Sequence, residues 1–177
     1  KKNKNSIPQK LLFGSDFIYQ RIAQVKTKID GLVKLNITFA KGGLGRIWGA
    51  NISSILQNDI EKWPISEKSL MPYFKQIEHI VPMSSERDAL GERFNYQPKT
   101  KYSFPLASGS QKILDVSLKN EGTLKNAGIY LGRAKLAVSS KETNLFKKCV
   151  SCGLCMHGCP HDSIFDPSII INKYFKI

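Results

Sequence analysis

Cys149 to Pro160 reads CVSCGLCMHGCP, and this stretch holds all four cysteines of the 177-residue chain. Its spacing, C-x2-C-x2-C-x3-C-P, is that of bacterial-type iron–sulfur ligation. Two-residue gaps bring successive thiolates to one side of a tight loop, and Gly153 and Gly158 let the backbone turn without a Cβ clash. The pattern predicts a compact metal site on Cys149, Cys152, Cys155 and Cys159. Other chemistries compete for the same residues. Disulfides within so short a run close only tiny loops and stabilise little. Zinc binds Cys-x2-Cys knuckles, although structural zinc sites normally draw them from separated segments. A C-x-x-C redox pair leaves two thiols over, with no evident helix N-terminus to lower a thiol pKa. In two-cluster ferredoxins the fourth cysteine of such a run ligates the other cluster, and here there is no second run. Either one cluster uses all four thiols, or three bind it and Cys159 is structural. Met156 and His157 read as filler between ligands.

Working outward, the composition suits a folded domain: 41% of residues are hydrophobic, and 177 residues can bury one real core. No apolar stretch approaches the length of a membrane span, and KKNKN at the start leads into Ile7 and Pro8 rather than an apolar signal core. With no export signal, and with clustered thiols that a reducing compartment protects, the cytoplasm is the expected location. The balance of 27 basic and 14 acidic residues leaves a net charge of +13. The basic residues are scattered in ones and twos among Ile and Asn, which argues against a nucleic-acid footprint and for a general lysine bias. The chain starts on Lys1 and ends on KYFKI with no turn signal, which reads as cut at both ends.

Before the cysteines, Asp30-Gly31 marks a turn, and Val33, Leu35, Ile37 and Phe39 alternate with polar residues as in a half-buried strand. That strand runs into KGGLGRIWGAN, from Lys41 to Asn51. Glycines crowded after a strand expose main-chain amides and let a ligand approach the backbone, and Arg46 adds a positive charge. Neither nucleotide fingerprint is met, and taken alone a glycine-rich turn with a buried Trp48 is more often a structural corner than a cofactor site. Ser66 predicts an N-cap, followed by an apolar stripe on Leu70, Tyr73, Phe74, Ile77, Ile80 and Val81, with Pro72 near the first turn and Pro82 as the stop. Glu78 and His79 read as a solvated face. Residues 84–105 read as surface loop with one helical turn near Arg87 to Glu92. A second helix is expected from Gln111 to Ala127, weakened at Gly122 and closed by Gly128, and then a strand from Ile129 to Val138, irregular at Gly132. Ile169 to Ile171 begin an apolar segment too short to assign.

Taken together, GGLGRIWGA at Gly42–Ala50, WPIS at Trp63–Ser66, LMPY at Leu70–Tyr73, the cysteine run and the opening PQKLLFGSDFIY resemble the glucose-methanol-choline oxidoreductases, especially a divergent branch among bacterial polysaccharide-biosynthesis genes. The resemblance implies an α+β chain that is an interior piece of a longer flavoprotein. Residues 1–60 would form an FAD-contacting segment, 61–145 a helical part of the substrate domain, and 146–177 the cysteine-rich loop with the segment after it. It implies that Gly42, Gly43, Leu44, Gly45, Arg46, Trp48 and Gly49 lie at the flavin. Relatives usually carry Ser and Asn where this chain has Gly45 and Arg46. The family's G-x-G-x-x-G turn does not occur ahead of this segment, and its catalytic histidine and partner would lie beyond Ile177; His79, His157 and His161 do not match those positions. The implied activity is oxidation of an alcohol, a sugar or polyol, by hydride transfer to FAD, with an iron–sulfur cluster passing electrons to an external acceptor. Two other readings of the residues are a ferredoxin-like electron-transfer module without flavin and a zinc-stabilised basic domain that binds nucleic acid.

Overall fold

A computed structural model describes residue 18 and residues 37–94, 102–155 and 159–175. Its sheet, among these residues, is two short antiparallel strands, β1 (Asn51–Ile52) and β2 (Lys135–Leu136), with Asn51 opposite Leu136 and Ile52 opposite Lys135. Single bridges widen the ribbon, Ser84 to Leu136 on one flank and Val138 to Ile164 further along. The Ala137 amide donates to Ala50 O at 2.7 Å and the Phe165 amide to Ala137 O at 2.9 Å, so residues 135–139 form the spine to which distant segments attach. Small and branched side chains there, Ala50, Ala137, Val138 and Ile164, are buried together, and Trp48, Phe165 and three of the cysteines pack around them. Helices with a small antiparallel sheet make this a mixed α+β chain. No described helix is long and apolar enough to cross a membrane.

Helix α1 (Glu67–Ile77) starts where Ser66 predicts, with Ser66 Oγ accepting the Ser69 amide at 3.2 Å. It runs through Pro72, which sits inside the helix rather than at its first turn, and ends before Pro82. Its apolar stripe is only partly covered by the described residues: Val81, just past the helix, packs on the core, whereas Tyr73 is 61% exposed and Ile77 and Ile80 are exposed as well.

The stretch read as surface loop is more ordered than its polarity suggests. Ser84 and Ser85 are buried, Ser84 pairs with Leu136, and Asp88 caps α2 (Ala89–Arg93) by accepting the Gly91 amide at 2.8 Å. The other Asp88 oxygen accepts the Arg133 amide at 2.7 Å. A Cβ on Gly132 would sit 2.4 Å from that carboxylate. This is why the expected strand from Ile129 shrinks to Lys135–Leu136: around Gly132 the chain bonds a side chain instead of a neighbouring strand. The expected single helix from Gln111 is two, α3 (Ser108–Lys119) and α4 (Glu121–Asn126), broken at Asn120 rather than at Gly122. There the Asn120 side chain donates back to Val116 O at 2.8 Å, competing with helix continuation. Gly128, at φ 76°, ends α4 as anticipated, with Gly128 N to Lys125 O and Ile129 N to Leu124 O completing a Schellman pair.

The expected strand over Val33–Phe39 falls partly outside the described residues. Its described end, 37–39, is unpaired, and Phe39 is 60% exposed rather than buried. The apolar segment at Ile169–Ile171 belongs to α5 (Pro167–Phe175), whose first residue is a proline preorganised for helix and whose Ser168 amide is capped by Asp166 Oδ1 at 2.7 Å.

Candidate metal centre

The cysteine run leaves and re-enters the spine at one point. Ser139 N donates to Ser163 O at 2.8 Å, Cys149 N to Ser139 O at 2.9 Å, and Lys147 N to Asp162 O at 3.1 Å, so both feet of the loop are stitched together. Phe146, buried below the feet, meets Phe165 at 6.0 Å between ring centroids. Above them the backbone reverses through left-handed residues, Ser151 at φ 56° and Gly153 at φ 75°, and it returns through Asp162 at φ 52°. Two of these are not glycine and carry the cost of that conformation, about 1 kcal/mol or more each, which the stitched feet must hold in place.

All four cysteines are free thiols and line one small cavity of about 30 Å³. Their environments differ. Cys149, Cys155 and Cys159 are half-buried against the core, whereas Cys152 is exposed. Cys149 Sγ accepts the Ser151 amide at 3.3 Å and Cys159 Sγ the Ser163 amide at 3.4 Å. Burial, then the neighbouring Cys149 sulfur, pushes the Cys155 thiol above its ordinary value. A bound cation reverses that logic, because it stabilises the thiolate it touches. Among the described residues no three His, Cys, Asp or Glu side chains converge tightly enough to hold a metal ion. The thiols are instead spread around the cavity wall. The donors are all sulfur and line one cavity, and main-chain N–H groups point at two of the sulfurs.

The glycine-rich stretch forms a 3-10 turn, Gly43–Arg46, entered through Gly42 at φ 88° and Gly43 at φ 63°. Its tight approach is to the start of α5. A Cβ on Gly42 would lie 2.8 Å from Ser168 N, and one on Gly45 2.9 Å from the Pro167 ring, while around Gly43 nothing comes within 4 Å. Arg46 Nε meets Asp166 Oδ2 at 3.0 Å, and Trp48 Nε1 donates to Phe165 O at 2.9 Å with its ring edge-on to Phe165. Trp48 is half-buried, Leu44 is exposed, and Gly49 leads into the buried, left-handed Ala50. The two turns are therefore neighbours through one strip, Cys159 to Ser168, which carries the last cysteine at one end and the partners of the glycine turn at the other. Comparison with protein families, curated proteins and solved structures finds no match to this chain.

Beside the feet of the cysteine loop lies an open cleft of about 850 Å³ between the end of α1 and the connector 139–146, walled by His79, Val81, Ser140, Asn144, Phe146 and Lys173. None of Gly42 to Gly49 lines it. His161 is exposed beyond Cys159, and His157 lies outside the described residues. Sequence reasoning missed Ser139, Ser163 and Asp166, the residues that stitch the loop and dock the glycine turn. Only Asp166 carried a readable signal, since an acidic residue directly before a proline is a helix start.

Proposed function

We propose that this chain contributes the electron-relay part of an FAD-dependent oxidoreductase acting on an alcohol, with Cys149, Cys152, Cys155 and Cys159 holding an iron–sulfur cluster. The observation that carries the reading is the ring of four free thiols around one cavity, two of them already taking main-chain hydrogen bonds, on a loop stitched to the same core as the glycine turn. A cluster held there supplies one-electron transfer, with a potential set by sulfur hydrogen bonds and exposure. The chain's own residues do the rest: Ser151 and Ser163 amides fix two sulfurs, and Phe146 and Ile164 keep water from beneath the loop. Trp48 locks the glycine turn to the strip beyond Cys159. The sugar or polyol substrate, the flavin and the external acceptor rest on the family resemblance and on a cleft whose size lies in the small-molecule range of about 300–1,000 Å³.

A second reading, an iron–sulfur electron-transfer module without flavin, draws on the glycine turn itself. Gly42 and Gly45 are already used by Ser168 and Pro167, and Arg46 by Asp166, so the turn has a packing purpose with no cofactor. Anaerobic purification and then iron, sulfide, zinc and flavin analysis separate the readings. The first predicts equal iron and acid-labile sulfide, about four of each per chain, with flavin present once the chain is extended at both ends to take in the dinucleotide-binding part, the form in which flavin is assayed. Iron and sulfide without flavin select the second reading, and zinc without sulfide overturns both.

A further inference from the structure

We propose that the open cleft of about 850 Å³ between the end of α1 and the connector 139–146 binds a carbohydrate that carries a negative charge, a sugar phosphate or a uronate, with Lys141 and Lys173 taking the anion and Ser140 and Asn144 the hydroxyls. Taking that sugar as the alcohol oxidised rests on the reading above; the binding itself needs neither flavin nor cluster.

The walls of the cleft are held by their own bonds. On one side Val81 N donates to Ile77 O at 2.8 Å as α1 closes, and the Val81 side chain packs on the core. On the other, Ser139 Oγ donates to Lys141 O at 2.6 Å, Thr143 N donates to Phe146 O at 2.8 Å, and Thr143 Oγ1 accepts the Phe146 amide at 2.9 Å. Phe146 is buried, and with Val81 and Pro82 it gives the cleft apolar surface suited to the C–H face of a sugar ring. The Ser140 hydroxyl and the Asn144 amide also line the cleft, and among the described residues neither is spent on another side chain or on the backbone. Both groups donate and accept, as sugar hydroxyls do.

The charges on the walls divide unequally. Glu142 is already paired with Lys147 at 2.6 Å, and Glu78 is engaged as well. Lys141 on the connector and Lys173 on α5 have no acidic partner among the described residues; Lys173 Nζ lies 5.9 Å from the centroid of the Tyr174 ring. Two unpaired ammonium groups from separate elements on one cleft attract an anion. Bare phosphate would leave the apolar surface and the Asn144 amide unused, and a neutral sugar would leave the lysines unused.

The test titrates the full chain calorimetrically with hexose phosphates and hexuronates of the gluco, galacto and manno series, with their neutral parent sugars and with inorganic phosphate. At least one charged sugar should bind roughly tenfold tighter than its neutral parent and than phosphate, and added salt should weaken it. The phosphate and uronate arms show which anion the lysines take. Lys141→Ala and Lys173→Ala should each weaken that binding roughly fivefold. Both lysines are exposed, so unfolding curves of the variants should overlay the wild type. Amide resonances of the wild type, followed during the same titration, should move at Val81, Ser140, Lys141 and Asn144, a readout that needs no variant. Equal affinity for charged and neutral sugars, equal affinity for inorganic phosphate, no binding in any arm, or shifts confined to other residues would each overturn the inference. A chain that binds charged sugars but holds no cofactor keeps the inference and loses the oxidoreductase reading, and a cofactor-bearing chain that ignores them does the reverse.

Discussion

Gly42 and Gly43 look alike in the sequence and differ in what surrounds them. Both adopt left-handed φ, so either replacement by alanine costs about 1–2 kcal/mol of backbone strain, partly offset by a stiffer unfolded chain. Only Gly42 also faces a backbone atom at 2.8 Å, on the buried residue Ser168. Gly42→Ala should therefore lose at least about 1 kcal/mol more than Gly43→Ala in urea unfolding, because the clash cannot relax into a flexible side chain. If Gly43→Ala costs no more than the backbone strain yet abolishes flavin retention in the chain extended at both ends, its open face is the cofactor contact. The cysteines teach the same lesson. Their spacing puts four thiols in one loop, but which thiol lies in water depends on what the folded chain stacks beneath each one.

At the scale of elements, caps were the most legible features and pairings the least. Ser66 and Gly128 act within a few residues of themselves, and each starts or terminates its helix through bonds the local sequence can specify; Asp88 does the same for α2, although the sequence alone reads there only as a helical turn near Arg87 to Glu92. Helix α5 was obscured because nine residues offer too little period to separate helix from strand. Asp166 serves it twice, capping Ser168 and pairing with Arg46. Asp166→Asn keeps an acceptor for the cap while discarding the charge, so it should cost less than about 1 kcal/mol, whereas Asp166→Ala should cost about 1–2 kcal/mol. Equilibrium unfolding of the two variants measures the difference, and equal losses would assign the whole effect to the ion pair. The stripe on α1 illustrates the opposite failure. Its periodicity was right about helix, yet periodicity cannot say which partner covers the face, and Tyr73, Ile77 and Ile80 remain exposed.

For the molecule as a whole, the core is assembled from residues far apart in the chain, Ala50, Ala137, Val138 and Ile164, and the cysteine loop is an excursion from that core. Its titration is consequently a stability property of the metal-free protein. The Cys155 pKa is raised by burial and by the neighbouring Cys149 sulfur. A raised folded value means that this contribution is fully present below the ordinary thiol pKa and lost as pH climbs through the folded one. The Tm of the metal-free wild type should fall more steeply than that of Cys155→Ser as pH rises from neutral through the thiol range, with lysine titration common to both; bound metal should abolish the difference.

By itself the sequence determined that four thiols crowd into one short loop, where α1 starts and α4 ends, and the mixed α+β character, because spacing, side-chain donors and φ preferences act over a handful of residues. Only the tertiary structure decided that the glycine turn grips Pro167 and Ser168, that Arg46 finds Asp166 120 positions away, and that Cys152 alone among the four cysteines is exposed. Those outcomes depend on which distant surfaces exclude water together, and burial of that kind is a property of the packed chain rather than of any stretch within it.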